Sequence, residues 1–175
     1  HRARIGPAGD LVPLNEQDRG IWDAEMIAEG LVLVEKALRK GRPGPLQIQA
    51  AIAAVHCSAA SADETDWSEI DRLYAVLEAV QPTPVVTLNR AVAVSKVAGP
   101  AAALDLIEPL AGPLARYQPF HSTRAALLEA CGEMAAATEA YRTAIGLTPT
   151  EAERSYLEGR LAALEEKTAT ACRRD

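Results

Sequence analysis

The stretch from Arg124 to Pro149, RAALLEACGEMAAATEAYRTAIGLTP, constrains the fold of this 175-residue chain more than any other. Gly132 divides two alanine-rich apolar runs, and Ala137, Tyr141, Ala144 and Pro149 follow it at set intervals. Two helices can close into a hairpin only where small residues let the backbones approach. An aromatic ring must fill the space beside them, and the turn must tolerate glycine. Sixty-seven residues earlier the same ending occurs: Tyr74 and Pro82 stand in DRLYAVLEAVQPTP as Tyr141 and Pro149 stand in TEAYRTAIGLTP. Two hairpin repeats of about 34 residues span about 68, so the spacing predicts an array of helical hairpins.

Composition agrees with that reading. A hydrophobic content of 49% supplies one substantial core or a short solenoid, while only 4% of residues are aromatic. Alanine runs such as QAAIAAVH and EMAAATEAYRTA suit close helix packing and not a sheet, which gives an all-α class. The 18 basic residues against 24 acidic ones leave a net charge of −6, unfavourable for direct contact with nucleic acid. The run Arg39, Lys40, Arg42 fits the last turn of a helix, where cations complement the dipole. Cys57, Cys131 and Cys172 are odd in number and widely spaced, as expected of reduced thiols. No apolar run approaches the roughly 20 residues of a membrane span and no signal peptide opens the chain, so a soluble cytoplasmic protein is expected.

The spacing resembles the tetratricopeptide (TPR) repeat and implies a short TPR-like solenoid of about eight antiparallel helices with a C-terminal capping helix. Residues 1–13 read as an opening loop, 14–166 as the helical domain and 167–175 as a fraying tail. The first helix is expected directly after Asn15, with Asn15 as N-cap and Glu16 and Asp18 in its first turn. It would run through Trp22, Met26, Ile27, Leu31 and Val34 to Leu38, and Leu33 and Ala37 would widen its apolar face as if it were covered on two sides. A second helix covers about 46–59. Asp66 with Glu69 predicts a capped start at Trp67. Thr83 before Pro84, and Thr148 before Pro149 with Glu151 beyond, predict two further starts. Other helices fall at about 84–97, 100–110, 118–131 and 133–146, and a last one at about 149–166. The array is degenerate: the turn beside Tyr74 is enlarged, and the pair around Gly99 carries Leu104, Ile107 and Leu110 where a ring would be usual.

Little in the chain points to catalysis. His56 and Cys57 are adjacent on a helix and point about 100° apart, with no second ligand pair at metal spacing. His121 reads as a satisfied structural histidine. Asp63, Glu64, Asp66 and Glu69 lack the glycine and terminal glutamate of a calcium loop. No phosphate-binding loop, GxSxG or HExxH occurs, so neither an enzyme nor a cofactor is expected.

Five segments resemble something narrower than a repeat: LNEQDRGIWD (14–23), GPLQIQAAIAAVH (44–56), DETDWSEIDRLY (63–74), PVVTLNRAVAV (84–94) and EAERSYLEGRLAAL (151–164). Together they are similar to the TPR-like C-terminal extension of one group of extracytoplasmic-function RNA polymerase sigma factors. That resemblance implies a fragment whose sigma core domains precede it. It also implies a role in transcription initiation, as a protein–protein module acting on those core domains, on RNA polymerase or on a regulatory protein. The positions it marks are Glu16, Gln17, Asp18, Arg19 and Trp22, then Gln47 and Gln49, Asp66 and Trp67, and Asn89 and Arg90. Trp22 and Trp67 also suit a core. Asp18 and Arg19 could brace the first helix, and Asn89 with Arg90 could form a buried polar network. A free-standing TPR scaffold for a peptide or helix of a partner is one alternative. Another is a small-molecule sensor with a pocket near Asn89, Arg90, Tyr117 and His121.

Overall fold

The computed structural model describes residues 2–6 and 11–171, and within them the protein is all-helical. Eight helices follow in order: α1 (Ala24–Leu38), α2 (Pro45–Ser58), α3 (Trp67–Val80), α4 (Pro84–Val97), α5 (Pro100–Ile107), α6 (Gln118–Ala130), α7 (Met134–Leu147) and α8 (Glu151–Ala171). Short 3-10 turns cover Arg2–Arg4, Arg19–Ile21 and Glu108–Leu110. Each helix packs on its predecessor and successor, and α4 also reaches α6, a solenoid-like order.

The starts follow local chemistry. Asp66 accepts a hydrogen bond from the Glu69 amide at 2.8 Å, and Thr83 from Val86 at 3.3 Å. Pro45, Pro84 and Pro100 each open a helix where no backbone donor is required. Gly132 adopts φ +84° in the α6–α7 turn, a conformation in which a side chain is strained.

The core consists of three clusters that share helices. Ile48 and Ile52 of α2 meet Ile70 and Leu77 of α3 and Val86 and Ala93 of α4. Leu88 and Ala91, also on α4, join Ile107 of α5 with Phe120 and Leu127 of α6. Ala125 and Leu128 of α6 then pack with Ala137, Tyr141 and Ala144 of α7 and Leu157 and Leu164 of α8. Thus α4 and α6 bury two faces each and carry the core from one hairpin to the next. Tyr141 is buried at the centre of the last cluster, whereas Tyr74 sits half-buried at the rim of the first. Pro82 and Pro149 occupy equivalent turns, after α3 and after α7.

Several expectations are corrected. The first helix does not begin after Asn15: its N-cap is Asp23, whose carboxylate accepts from the Met26 amide at 3.0 Å, and Asp18 instead caps the 3-10 turn by accepting from Gly20 at 2.8 Å. Helix α1 is not covered on two sides. None of its residues is buried, with Met26, Val32 and Leu33 exposed by 70%, 63% and 57%. The cap of α8 lies two residues beyond Thr148, because Thr148 turns its hydroxyl back to the Ala144 carbonyl while Thr150 accepts from the Glu153 amide. The helix expected over 100–110 stops at Ile107, since Pro109 cannot donate within it and the chain tightens into a 3-10 turn. Helix α8 continues through 167–171, with Lys167 bonded to Glu129 at 2.8 Å. The rest of the expected tail, Cys172 included, lies outside the described residues, as do residues 7–10 of the opening loop.

Glu129 ties three helices together. It accepts from the Tyr141 hydroxyl at 3.2 Å, from Arg160 at 2.8 Å and from Lys167 at 2.8 Å. Burial alone would raise its pKa, but the three donors outweigh it and hold the carboxyl below its ordinary value. Burial pushes the Tyr141 phenol up to about 12, so it remains a donor at neutral pH.

Two substitutions separate backbone strain from packing. An added Cβ meets nothing within 4 Å at either Gly132 or Gly159, so only conformation distinguishes them. Gly132→Ala should cost about 1–2 kcal/mol, while Gly159→Ala, inside α8, should gain about 0.5–1 kcal/mol, both read from urea unfolding. Tyr141→Ala should cost about 3–5 kcal/mol in the same assay, as other buried aromatic truncations do.

Candidate functional site: a concave groove along the array

The segment before α1 is held by one side chain. Arg19 Nη1 donates to the carbonyls of His56 and Ala59, each at 2.8 Å, and Nη2 donates to Thr65 Oγ1 at 2.9 Å. Those two carbonyls close the C-terminal end of α2, where backbone acceptors lack helical partners and a cation is favoured. The guanidinium also lies 5.1 Å from the Trp22 ring centre. His56 packs edge-on against Trp67 at 5.3 Å between centroids. Burial, together with the neighbouring Arg19 charge, pulls its pKa below the ordinary 6.5. Arg19 Nε and His56 Nδ1 are buried without hydrogen-bond partners among the described residues.

From this anchor a groove of about 640 Å³ runs along α3, α4 and α6 to α8. Trp67 and Tyr74 line it near the anchor, Asn89 and Lys96 along α4, and Tyr156 and Arg160 at the far end. Helices α4 and α6 supply small residues here, including Ala93 and Ala126, which open the space that the flanking rings border.

The positions marked by sequence separate into distinct roles. Gln47 accepts from the Gly44 amide at 3.1 Å and caps α2, while Gln49 is exposed. Gln17 donates to the Val12 carbonyl at 3.1 Å, and Glu16 is exposed. Asp66 caps α3, and Glu69 pairs with Arg72 instead of closing a reciprocal box. Trp22 and Trp67 are half-buried, and Trp67 packs against the cluster formed by α2, α3 and α4 while Trp22 joins none of the three. Asn89 and Arg90 do not share a network. Arg90 turns to α3, bonding Asp71 at 2.8 Å and Glu78 at 2.7 Å, while Asn89 is exposed in the groove. Of the residues expected around a pocket, Asn89, Arg90, Tyr117 and His121, only Asn89 lines the groove. His121 instead bonds the Ala115 carbonyl at 2.9 Å. Lys96 and Arg160 were not marked in the sequence. Lys96 falls at a helix end, where a cation needs no further explanation, and Arg160 falls in a highly charged helix.

A family of unknown function, DUF6596, matches residues 1–38, the anchored segment and α1. An uncharacterized protein of Rhizobium meliloti (strain 1021) is 48% identical over 169 residues, covering 97% of this chain and 40% of that protein. The chain therefore spans about two-fifths of the length of the curated relative it matches. No solved structure matches it. Among the described residues no helix is long and apolar enough to cross a membrane.

The His56 environment carries a pH signature. A histidine whose folded pKa lies below its unfolded value contributes stability that is complete above about 6.5 and lost as pH falls through the folded pKa. Glu129 acts in the same direction but only below its ordinary 4.5. The urea midpoint should therefore drop between pH 7 and pH 5, and His56→Gln should flatten that drop.

Proposed function

We propose that this domain is a regulatory protein–protein interaction module of an extracytoplasmic-function sigma factor, acting in transcription initiation on the sigma core domains of a longer polypeptide. The single observation that carries the reading is α1. It packs on α2 and contributes nothing to the three core clusters, yet it carries Met26, Val32 and Leu33 outward. Exposed apolar side chains grouped on one short helix mark an interaction face more readily than isolated ones do. The helix lies in the segment matched by DUF6596, a domain family that in general occurs in sigma-factor-like proteins. The greater length of the Rhizobium relative supports a module joined to further chain. Five segments in the order of the sigma-factor extension support the same assignment. Binding, not catalysis, is the function proposed, with the core domains or the polymerase as partners and no direct contact to nucleic acid.

The test is the double substitution Met26→Glu with Leu33→Glu. Both side chains are exposed, so thermal stability of the domain should stay within about 0.5 kcal/mol of the parent. Capture of separately expressed sigma core domains should be lost, and promoter-dependent transcription by the longer polypeptide should change at least fivefold. Unchanged capture and unchanged transcription would exclude α1 as the docking face.

A further inference from the structure

Among the described residues no acidic side chain lines the groove, although carboxylates outnumber cations in the protein, 24 to 18. The contrast is local: a smaller cleft of about 320 Å³ beside α2 and α3 is lined by Glu64, Asp66 and Glu69. Three cations line the groove, and little of their charge is cancelled. Arg19 bonds only to neutral acceptors. Lys96 is exposed and makes no ion pair among the described residues. Arg160 pairs with Glu129, but Glu129 also holds Lys167, so that trio keeps one positive charge. A positive trough in an acidic protein focuses field toward anionic partners.

The lining also says what else the partner must carry. Trp67, Tyr74 and Tyr156 offer apolar ring surface, and Asn89, Ser122 and Thr123 offer neutral hydrogen bonding. The space is bordered by residues of α2 through α8 along the array and is not sealed, whereas a small ligand is usually enclosed over most of its surface. An extended or helical segment suits such a shape.

We infer that the groove binds an acidic peptide segment with interspersed apolar side chains, seated along α4, its carboxylates at Lys96 and near Arg19 and its apolar groups against Tyr74 and Tyr156. This deepens the interaction-module reading, and rests on it for the premise that the domain works by holding another polypeptide.

Two pools of fluorescent 12-residue peptides test it, one drawn from Asp, Glu, Leu and Phe, the other from Lys, Arg, Leu and Phe. Binding to the 175-residue chain is followed by anisotropy. The acidic pool should bind and weaken as salt rises, and the basic pool should not bind. Lys96→Glu removes an attraction and adds a repulsion, so it should weaken binding at least tenfold with unchanged helicity and melting, and Lys96→Arg should retain binding. Equal binding of the two pools, binding of neither, or indifference to Lys96→Glu would overturn the inference. The Met26→Glu, Leu33→Glu protein should bind the acidic pool normally. Loss of core-domain capture with peptide binding intact therefore bears on the sigma-factor reading alone, and the converse on the groove alone.

Discussion

Close approach of helices through alanine is the constraint on which the rest of this structure depends. Ala91, Ala93, Ala103, Ala125, Ala137 and Ala144 have no solvent exposure, and they lie on the four consecutive helices from α4 to α7. A methyl group at each crossing sets a short interaxial distance, so a few larger side chains suffice to fill the interstices. Tyr141 and Phe120 do this on α7 and α6, which is why a chain so poor in aromatics can still build a continuous core. Because α4 and α6 each belong to two clusters, a loosened crossing would be felt in two neighbouring hairpins.

Two polar assemblies finish what packing begins, and both work by placing charge where the backbone or a ring is waiting for it. Arg19 satisfies the carbonyl end of α2 from a segment that contributes to none of the three hydrophobic clusters. At the other end, Glu129 gathers Tyr141, Arg160 and Lys167 and joins α6 to α7 and α8. Both lie at ends of the same groove through Arg19 and Arg160, so the residues that brace the array also set the charge of its concave face. The acids lie elsewhere: Asp71 and Glu78 of α3 engage Arg90 of α4, and Asp18, Asp23 and Asp66 cap local turns and helices.

The legibility of each element follows from the range of the interaction behind it. The start of α3 at Trp67 and of α4 at Pro84 could be read because Asp66, Thr83 and Pro84 act on amides within three residues. The hairpin at Gly132 could be read because its turn, its alanines and Tyr141 sit within one repeat. Asn15 and Asp23 are both competent caps for the first helix, so the local pattern does not choose between them. Arg19, bonding acceptors 37 to 46 residues away, holds the intervening stretch in turns. Thr148 is likewise a competent cap that does not cap α8, since its hydroxyl donates to the Ala144 carbonyl. Asn89 and Arg90 looked like a pair because they are adjacent in sequence. On a helix, adjacency turns them toward different neighbours, and only the position of α3 shows which neighbour claims Arg90.

The sequence by itself determined an all-helical chain, most of its helix starts and the small-residue crossings, because propensity, capping and side-chain volume are properties of a few consecutive residues. Tertiary structure alone decided the rest. It left α1 with an uncovered apolar face, brought Arg19, Lys96 and Arg160 to one groove from residues far apart in the chain, and, among the described residues, kept carboxylates out of its lining. Those features depend on how successive hairpins are rotated against one another, and that rotation arises from the summed packing of all the crossings, not from any local signal.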